Sequence, residues 1–221
     1  VGRVKRPVQR IIIVALALML VVPIGIFGVT QFSGGGGEQG GGQDPSAGQE
    51  SADTRPTVNP AEQPPRPQIT APEAPAVMAE QTTEGAEATL TFLLESYTYM
   101  MTTGDTSLWE ASIDQSCEVC LSFLDNAQLL EQQGGYLVGG EFTVESATFE
   151  GAGDPPASGT VTAAFTQDAS TLVDDPTRTP YELEPVSGQL QAAILWDGER
   201  WRITDMSIAP DEAPADAPAA G

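Results

Sequence analysis

The chain has 221 residues, of which 23 are Gly and 18 are Pro, mostly before residue 80; this leaves about 130 residues for a folded unit, enough for one hydrophobic core. It carries 31 acidic and 9 basic residues and no histidine, and four of the basic ones (Arg3, Lys5, Arg6, Arg10) fall within the first ten positions. A surface this acidic repels nucleic-acid phosphates and anionic lipid, and without histidine there can be no Ser-His-Asp or Cys-His catalysis and no histidine-ligated metal.

Residues 1–10 read as a basic tail. Residues 11–29, IIIVALALMLVVPIGIFGV, carry no charge. As a helix they span about 28 Å, close to the thickness of a bilayer's hydrocarbon core. The basic flank puts the amino terminus in the cytoplasm and the remainder outside, making a single-pass anchor of the cell membrane. A cleaved signal peptide is the rival reading, although its apolar region is usually shorter and ends at a small-x-small site that is missing here. Neither cysteine lies near this segment, so it has no site for lipid attachment.

Residues 30–79 pass from Gly-rich to Pro-rich with few large apolar side chains. The sequence predicts a disordered linker there, because nothing offsets the entropy of ordering it. The acidic end, residues 210–221, reads the same way.

The folded unit is expected over residues 80–209. Ala86, Leu90, Leu93, Tyr97 and Met100 or Met101 recur at helical steps on one face, and Gly104 supplies a stop. Ser107-Leu108-Trp109-Glu110 reads as a capping box opening a short second helix. A third helix is predicted from Ser116 to about Gln133, ending at Gly134-Gly135. Beyond it the period changes to two, and four strands are expected at 142–150, 159–168, 188–196 and 200–208. Asp197-Gly198 signals a two-residue hairpin turn that would set Trp201 opposite Ile194. The connection from Ala169 to Ser187, with Pro176, Pro180 and Pro185, reads as a surface loop. Three helices on one face of a curved, mainly antiparallel four-stranded sheet make an α+β domain.

A long first helix ending in Thr103-Gly104-Asp105, two further helices and a sheet closing in W-D-G-x-x-W resemble the cone-shaped nuclear-transport-factor-like (SnoaL-like) superfamily. More narrowly, Phe92, Tyr97, Gly104-Asp105, Leu108 and Cys117-x-x-Cys120 with Gly134-Gly135 resemble an actinobacterial family of uncharacterised envelope domains, usually lipoproteins. The likeness covers about residues 84–209. This chain departs from that family in lacking the lipid-attachment cysteine. The resemblance implies a fold and an envelope location but no activity. Cone-shaped relatives can use the cavity between helix and sheet, with an Asp base and a Tyr donor. On that basis Tyr97, Tyr99, Asp105 and Asp114 are the candidate pocket residues. Each also has a structural reading, Tyr97 on the core stripe, Asp105 in a turn and Asp114 capping the third helix.

Cys117 and Cys120 are spaced to form a disulfide at a helix start in an oxidising compartment, and the alternative use of the pair is thiol-disulfide exchange. Two thiolates alone do not make a zinc site, and Asp174-Asp175 offers too few oxygens for calcium, so it reads as a solvated loop. The sequence therefore predicts a membrane-anchored, non-enzymatic accessory module of the cell envelope. It would need no metal or cofactor, and its partner would be an envelope protein or a cell-wall component. A ligand-binding or catalytic cone is the alternative.

Overall fold

The helical stripe after residue 83 becomes α1 (Thr83–Thr103) in a computed structural model that describes residues 53–210. The candidate membrane segment 11–29, the Gly-rich stretch after it and the acidic tail from Asp211 lie outside the described residues. Among the described residues no helix is long and apolar enough to cross a membrane. The Thr82 hydroxyl accepts from the Gly85 amide at the start of α1, and Gly104 ends the helix in the left-handed region at φ 77°. Ala86, Leu90, Leu93 and Met100 form its buried stripe.

The second helix, α2 (Ser107–Ser112), opens differently from the expected capping box. Ser107 already lies inside the helix, so its hydroxyl is not placed to cap it. Asp105 Oδ1 accepts from the Ser107 amide instead, and the Thr106 hydroxyl donates to the Glu110 carboxylate. The third, α3 (Glu118–Gln132), is capped by Cys117, whose Sγ accepts from the Cys120 amide.

Seven strands follow rather than four: β1 (Tyr136–Gly139), β2 (Phe142–Gly153), β3 (Pro156–Gln167), β4 (Ser170–Val173), β5 (Tyr181–Leu183), β6 (Val186–Trp196) and β7 (Trp201–Pro210). The expected strands form one antiparallel sheet in the order β2-β3-β6-β7. Its inner face presents Val161, Ala163, Phe165, Leu190, Ala192, Ile194 and Ile203 to the helices, all buried. The remaining three form a second antiparallel sheet in the order β1-β4-β5. The segment 169–187 is therefore not a plain loop, since β4 and β5 lie within it. Strands of three or four residues are too short to show a period, and the pairing of β4 with β1 is non-local.

The hairpin between β6 and β7 also departs from the expected turn. Trp196 pairs with Trp201 across four residues, Asp197 to Arg200, closed by the Asp197 amide on the Arg200 carbonyl at 3.0 Å. Asp197 Oδ1 accepts from the Glu199 and Arg200 amides, which holds the wider turn. Trp201 thus faces Trp196 instead of Ile194. Lengthening the turn by two residues preserves the alternation, so Trp201 still faces the core. It is 1% exposed, its Nε1 donates to the Glu80 carbonyl at 3.0 Å, and its ring meets those of Phe149 and Trp196 edge-on.

The expectation of a linker without structure up to residue 79 does not hold for residues 53–79. Two 3₁₀ turns, Pro60–Glu62 and Ala76–Ala79, punctuate a strap laid along the domain. Its attachment is polar, which is why a hydrophobicity argument misses it. Arg55 binds both carboxylate oxygens of Asp174 at 2.7 and 2.8 Å and lies over the Tyr181 ring, 4.1 Å from its centroid. The Val58 amide reaches the Thr177 carbonyl, the Thr179 amide reaches the Pro56 carbonyl, and Arg178 donates to the Arg55 carbonyl. Gln63 donates to the carbonyls of Pro176 and Arg178. Arg66 binds the Gly135 carbonyl and Glu131, and the Tyr136 hydroxyl donates to the Pro64 carbonyl.

Two consequences can be measured by denaturant unfolding. Trp201→Ala should cost about 3 to 5 kcal/mol through the cavity it leaves, while Trp201→Phe, which keeps a ring but removes the indole donor and leaves the Glu80 carbonyl to the Thr82 amide, should cost about 1 to 2. Arg55→Ala strands the buried Asp174 carboxylate and should cost about 2 to 4 kcal/mol. Arg55→Lys should recover little of this, because a lysine cannot bind both oxygens in a planar fork. Loss of hydrogen-exchange protection at Val58 and Thr179 in Arg55→Ala would place the effect in the strap.

Candidate functional site

Tyr97 and Tyr99 are two residues apart on α1, which turns about 200° between them, so they leave the helix in nearly opposite directions. Tyr97 turns inward. Its ring meets Trp109 of α2, Phe123 of α3 and Phe142 of β2 edge-on, with centroids 6.2, 5.8 and 5.4 Å away. These contacts pack the half-buried Tyr97 and Phe142 against the core between helices and sheet, and burial of its hydroxyl pushes the Tyr97 phenol up to about 12. A phenol shifted that way is a weak acid and stays neutral.

Tyr99 turns outward and donates to Asp105 Oδ2 at 2.9 Å. The other Asp105 oxygen accepts from the Ser107 amide at 3.0 Å. Hydrogen bonds from Ser107 and then Tyr99 hold the Asp105 carboxyl below its ordinary range, and the same contact raises the Tyr99 phenol. Asp105 is thus the turn residue that joins α1 to α2, and a carboxylate held below its ordinary range by these hydrogen bonds is a weaker base than a free one.

Asp114 sits elsewhere, in the loop entering α3. Its amide donates to the Ile203 carbonyl of β7, and its Oδ1 accepts from the Ser116 amide at 2.9 Å. The Ser116 amide lowers its pKa. The four candidates therefore divide among three places: Tyr97 in the aromatic core, Tyr99 with Asp105 at the exposed end of α1, and Asp114 beside β7.

Cys117 and Cys120 are joined by a disulfide with Cα atoms 5.2 Å apart, and both are 0% exposed. The indole of Trp109 donates to the Cys120 carbonyl at 3.1 Å, so the bridge is part of the α2–α3 packing. Exchange with an external thiol requires an accessible sulfur, and this geometry covers both. Among the described residues no cluster of three or more Cys, Asp or Glu could hold a metal ion.

The strongest polar constellation was not a sequence candidate. Asp174, read as part of a solvated loop, is 5% exposed and paired with Arg55, which also holds Asp53. The Arg55 side chain draws the Asp53 carboxyl down to about 2, and the Asp53 and Asp174 partners raise the guanidinium. One signal was available: the five arginines past residue 10 include two, Arg55 and Arg66, in the Pro-rich stretch. In so acidic a chain each arginine has many possible partners, and the sequence does not say which.

The matched family model spans residues 56–207 and is described as a family of unknown function, DUF6318. The chain belongs to that family. The match begins within the strap, in keeping with the strap being part of the folded unit. Among curated proteins no relative matches the sequence. Solved structures give remote likenesses. The intermembrane space region of the chloroplast protein ARC6 is 13% identical, with a TM-score of 0.46, over 66% of this chain and 100% of that one. A nuclear transport factor 2-like superfamily protein from Salmonella enterica is 9% identical, with a TM-score of 0.39, over 61% of this chain and 98% of that one. Aln2 from a Streptomyces species is 13% identical, with a TM-score of 0.35, over 55% of this chain and 88% of that one. None of these likenesses is near enough to carry over an activity or a ligand.

The best-defined surface ion pair gives a pH test. Asp197 accepts from Arg202 Nε at 2.9 Å, and that contact, followed by the Glu199 amide, lowers its carboxyl to about 2. A depressed carboxyl contributes stability above its unfolded value of about 3.9, and that contribution is lost as pH falls toward 2. Carboxyl NMR titration should place Asp197 near 2 in the native chain, and Arg202→Ala should move it most of the way to about 3.9.

Proposed function

We propose that this chain is a membrane-anchored module of the cell envelope whose folded domain lies outside the cytoplasm and acts by binding another envelope component rather than by catalysis. The observation that carries the reading is the placement of Tyr97. The space between helices and sheet, where a cone-shaped enzyme would keep its pocket, is occupied by the edge-to-face packing of Tyr97, Trp109, Phe123 and Phe142. The acidic candidates Asp105 and Asp114 lie away from it and tie loops to neighbouring elements. An extracytoplasmic location is supported by the charge-free run 11–29 behind its basic flank and by the disulfide, a bond that persists in oxidising compartments. The acidic surface favours neutral or cationic partners over nucleic acid.

Protease treatment of intact protoplasts carrying the full chain tests this. Cleavage before Asp53 should release a fragment recognised by an antibody to the domain, with Cys117 and Cys120 still joined. Full protection of the domain would overturn the proposed topology, and recovery of two free thiols from denatured, unreduced protein would remove the support drawn from the compartment.

A further inference from the structure

The strap carries two Arg-Pro pairs, Arg55-Pro56 and Arg66-Pro67, eleven positions apart, and the domain receives both arginines in the same way. Arg55 lies over the Tyr181 ring at 4.1 Å, binds the Asp174 carboxylate and donates to the Thr179 carbonyl at 3.0 Å. Arg66 lies 5.0 Å from the Tyr136 ring centroid, binds the Glu131 carboxylate at 2.8 Å and donates to the Gly135 carbonyl at 2.6 Å. An aromatic face, a carboxylate and a carbonyl make a socket for a planar guanidinium, which stacks and donates in several directions at once. Asp174 is buried at the first socket, a costly place for a carboxylate unless a cation meets it. Between the sockets the strap is held largely through its backbone. The Val58 amide and the Pro56 carbonyl pair with Thr177 and Thr179 in one antiparallel step, and the Pro64 carbonyl accepts from Tyr136. Backbone contacts of this kind are open to any extended segment.

We propose that the two sockets and the track between them form a docking groove for an extended, Pro-rich segment of another protein that carries two Arg-Pro pairs and no carboxylates, and that the strap is the occupant it displaces. The strap's own composition selects this partner. It brings Asp53, Glu62 and Glu73 to a chain that is already acidic, and Asp53 takes Nε of Arg55 and shares its Nη2 with Asp174. A cationic segment without carboxylates leaves those donors to the domain and is drawn in by its charge. A second copy's strap offers nothing that the tethered strap does not, and it brings another acidic domain with it. The tether allows exchange. Among the described residues, 67–74 make no hydrogen bond or ion pair, and a Pro-rich stretch of that length spans about 25 Å when extended. The strap can therefore lift away while the Trp201 to Glu80 hydrogen bond stays closed. This inference rests on the reading of the domain as a binding module and names its surface and the chemistry of its partner.

The probe is a fluorescein-labelled peptide of residues 54–67 carrying Glu62→Gln, and fluorescence anisotropy reads its binding to the full chain in detergent. The native chain should bind it weakly, because the tethered strap competes at a high effective concentration. Arg55→Ala loosens the strap and leaves the groove intact, so it should tighten probe binding about 10-fold. Adding Asp174→Asn, which spoils one socket, should abolish that gain. A peptide with both arginines replaced by alanine should not bind. Near-ultraviolet dichroism from the buried Trp109 and Trp201 reports whether each variant is folded. If Arg55→Ala fails to fold, Arg66→Ala at the more exposed socket decides, with Glu131→Gln as its counterpart. Loosening the strap without any gain in probe affinity would overturn the proposal, as would an arginine-free peptide that binds equally well. A native chain that sediments as a dimer and becomes monomeric on adding the probe would put a second copy's strap in the groove and overturn the choice of partner. Binding is read on the chain in solution, so these failures are distinct from that of the protoplast experiment, which reads topology.

Discussion

The hydrogen bond from the Trp201 indole to the Glu80 carbonyl brings three parts of the molecule to one point. Trp201 opens β7, Glu80 closes the strap, and α1 begins three residues later. Gly85 allows the approach: a methyl group there would lie 2.3 Å from the Glu80 oxygen and 3.1 Å from the indole nitrogen. Around the same ring, Trp196 fixes the neighbouring strand and Phe149 reaches from the far edge of the sheet. Phe149 is itself placed by its surroundings. Its ring covers Gly151 and Gly159, where any side chain would collide with it, and its amide is bound by the Glu87 carboxylate of α1. The indole thus touches Phe149 of β2, Trp196 of β6 and the residue that leads into α1, so the joint is a packing constraint as much as a hydrogen bond.

Electrostatics acts through scarcity. Of the five arginines past residue 10, Arg55, Arg66 and Arg178 hold the strap, and Arg202 binds Asp197 together with carbonyls at the end of α2. These guanidiniums combine charge with several donors, so Arg55, Arg66 and Arg202 each satisfy a backbone carbonyl as well as a carboxylate. Cations assigned in this way do not form a cluster for an anionic ligand. The same allocation relieves the acidic surface where it is locally densest, at Asp53 and Asp174 around Arg55.

What was legible in the sequence was whatever repeats. Thr83–Thr103 shows its stripe over many turns, so the pattern survives individual exceptions, and β3 alternates from Thr160 to Thr166. The Asp197-Gly198 pair signalled the antiparallel pairing of β6 with β7, whereas β3 pairs with β6 across the intervening β4 and β5 and no turn announces it. Three features were not legible, each for a physical reason. The strap has no buried apolar row, and its principal bond joins Arg55 to a residue 119 positions away. The strands β1, β4 and β5 are three or four residues long, and β1 meets β4 across a long separation, so none announces itself alone. The Asp197 turn is wider than its Asp-Gly pair implies because the Asp197 side chain binds two later amides. Of the candidate site, the Cys117–Cys120 pairing was legible from spacing. The separation of Tyr97 from Tyr99 follows from helix geometry alone, whereas the three rings that surround Tyr97 come from α2, α3 and β2 and required the fold.

The two central strands of the larger sheet matter before the domain has folded. β3 and β6 are twelve- and eleven-residue segments rich in β-formers and free of charge, the composition from which aggregated strands grow when a chain is exposed. The long edge strand β2, which in the finished sheet carries unpaired backbone groups, bears Glu145 at its irregularity and Glu150 further on. Across the whole chain, the surplus of carboxylates repels other unfolded copies. The acidity that repels phosphate from the folded surface thus also opposes the aggregation of a chain with two such segments.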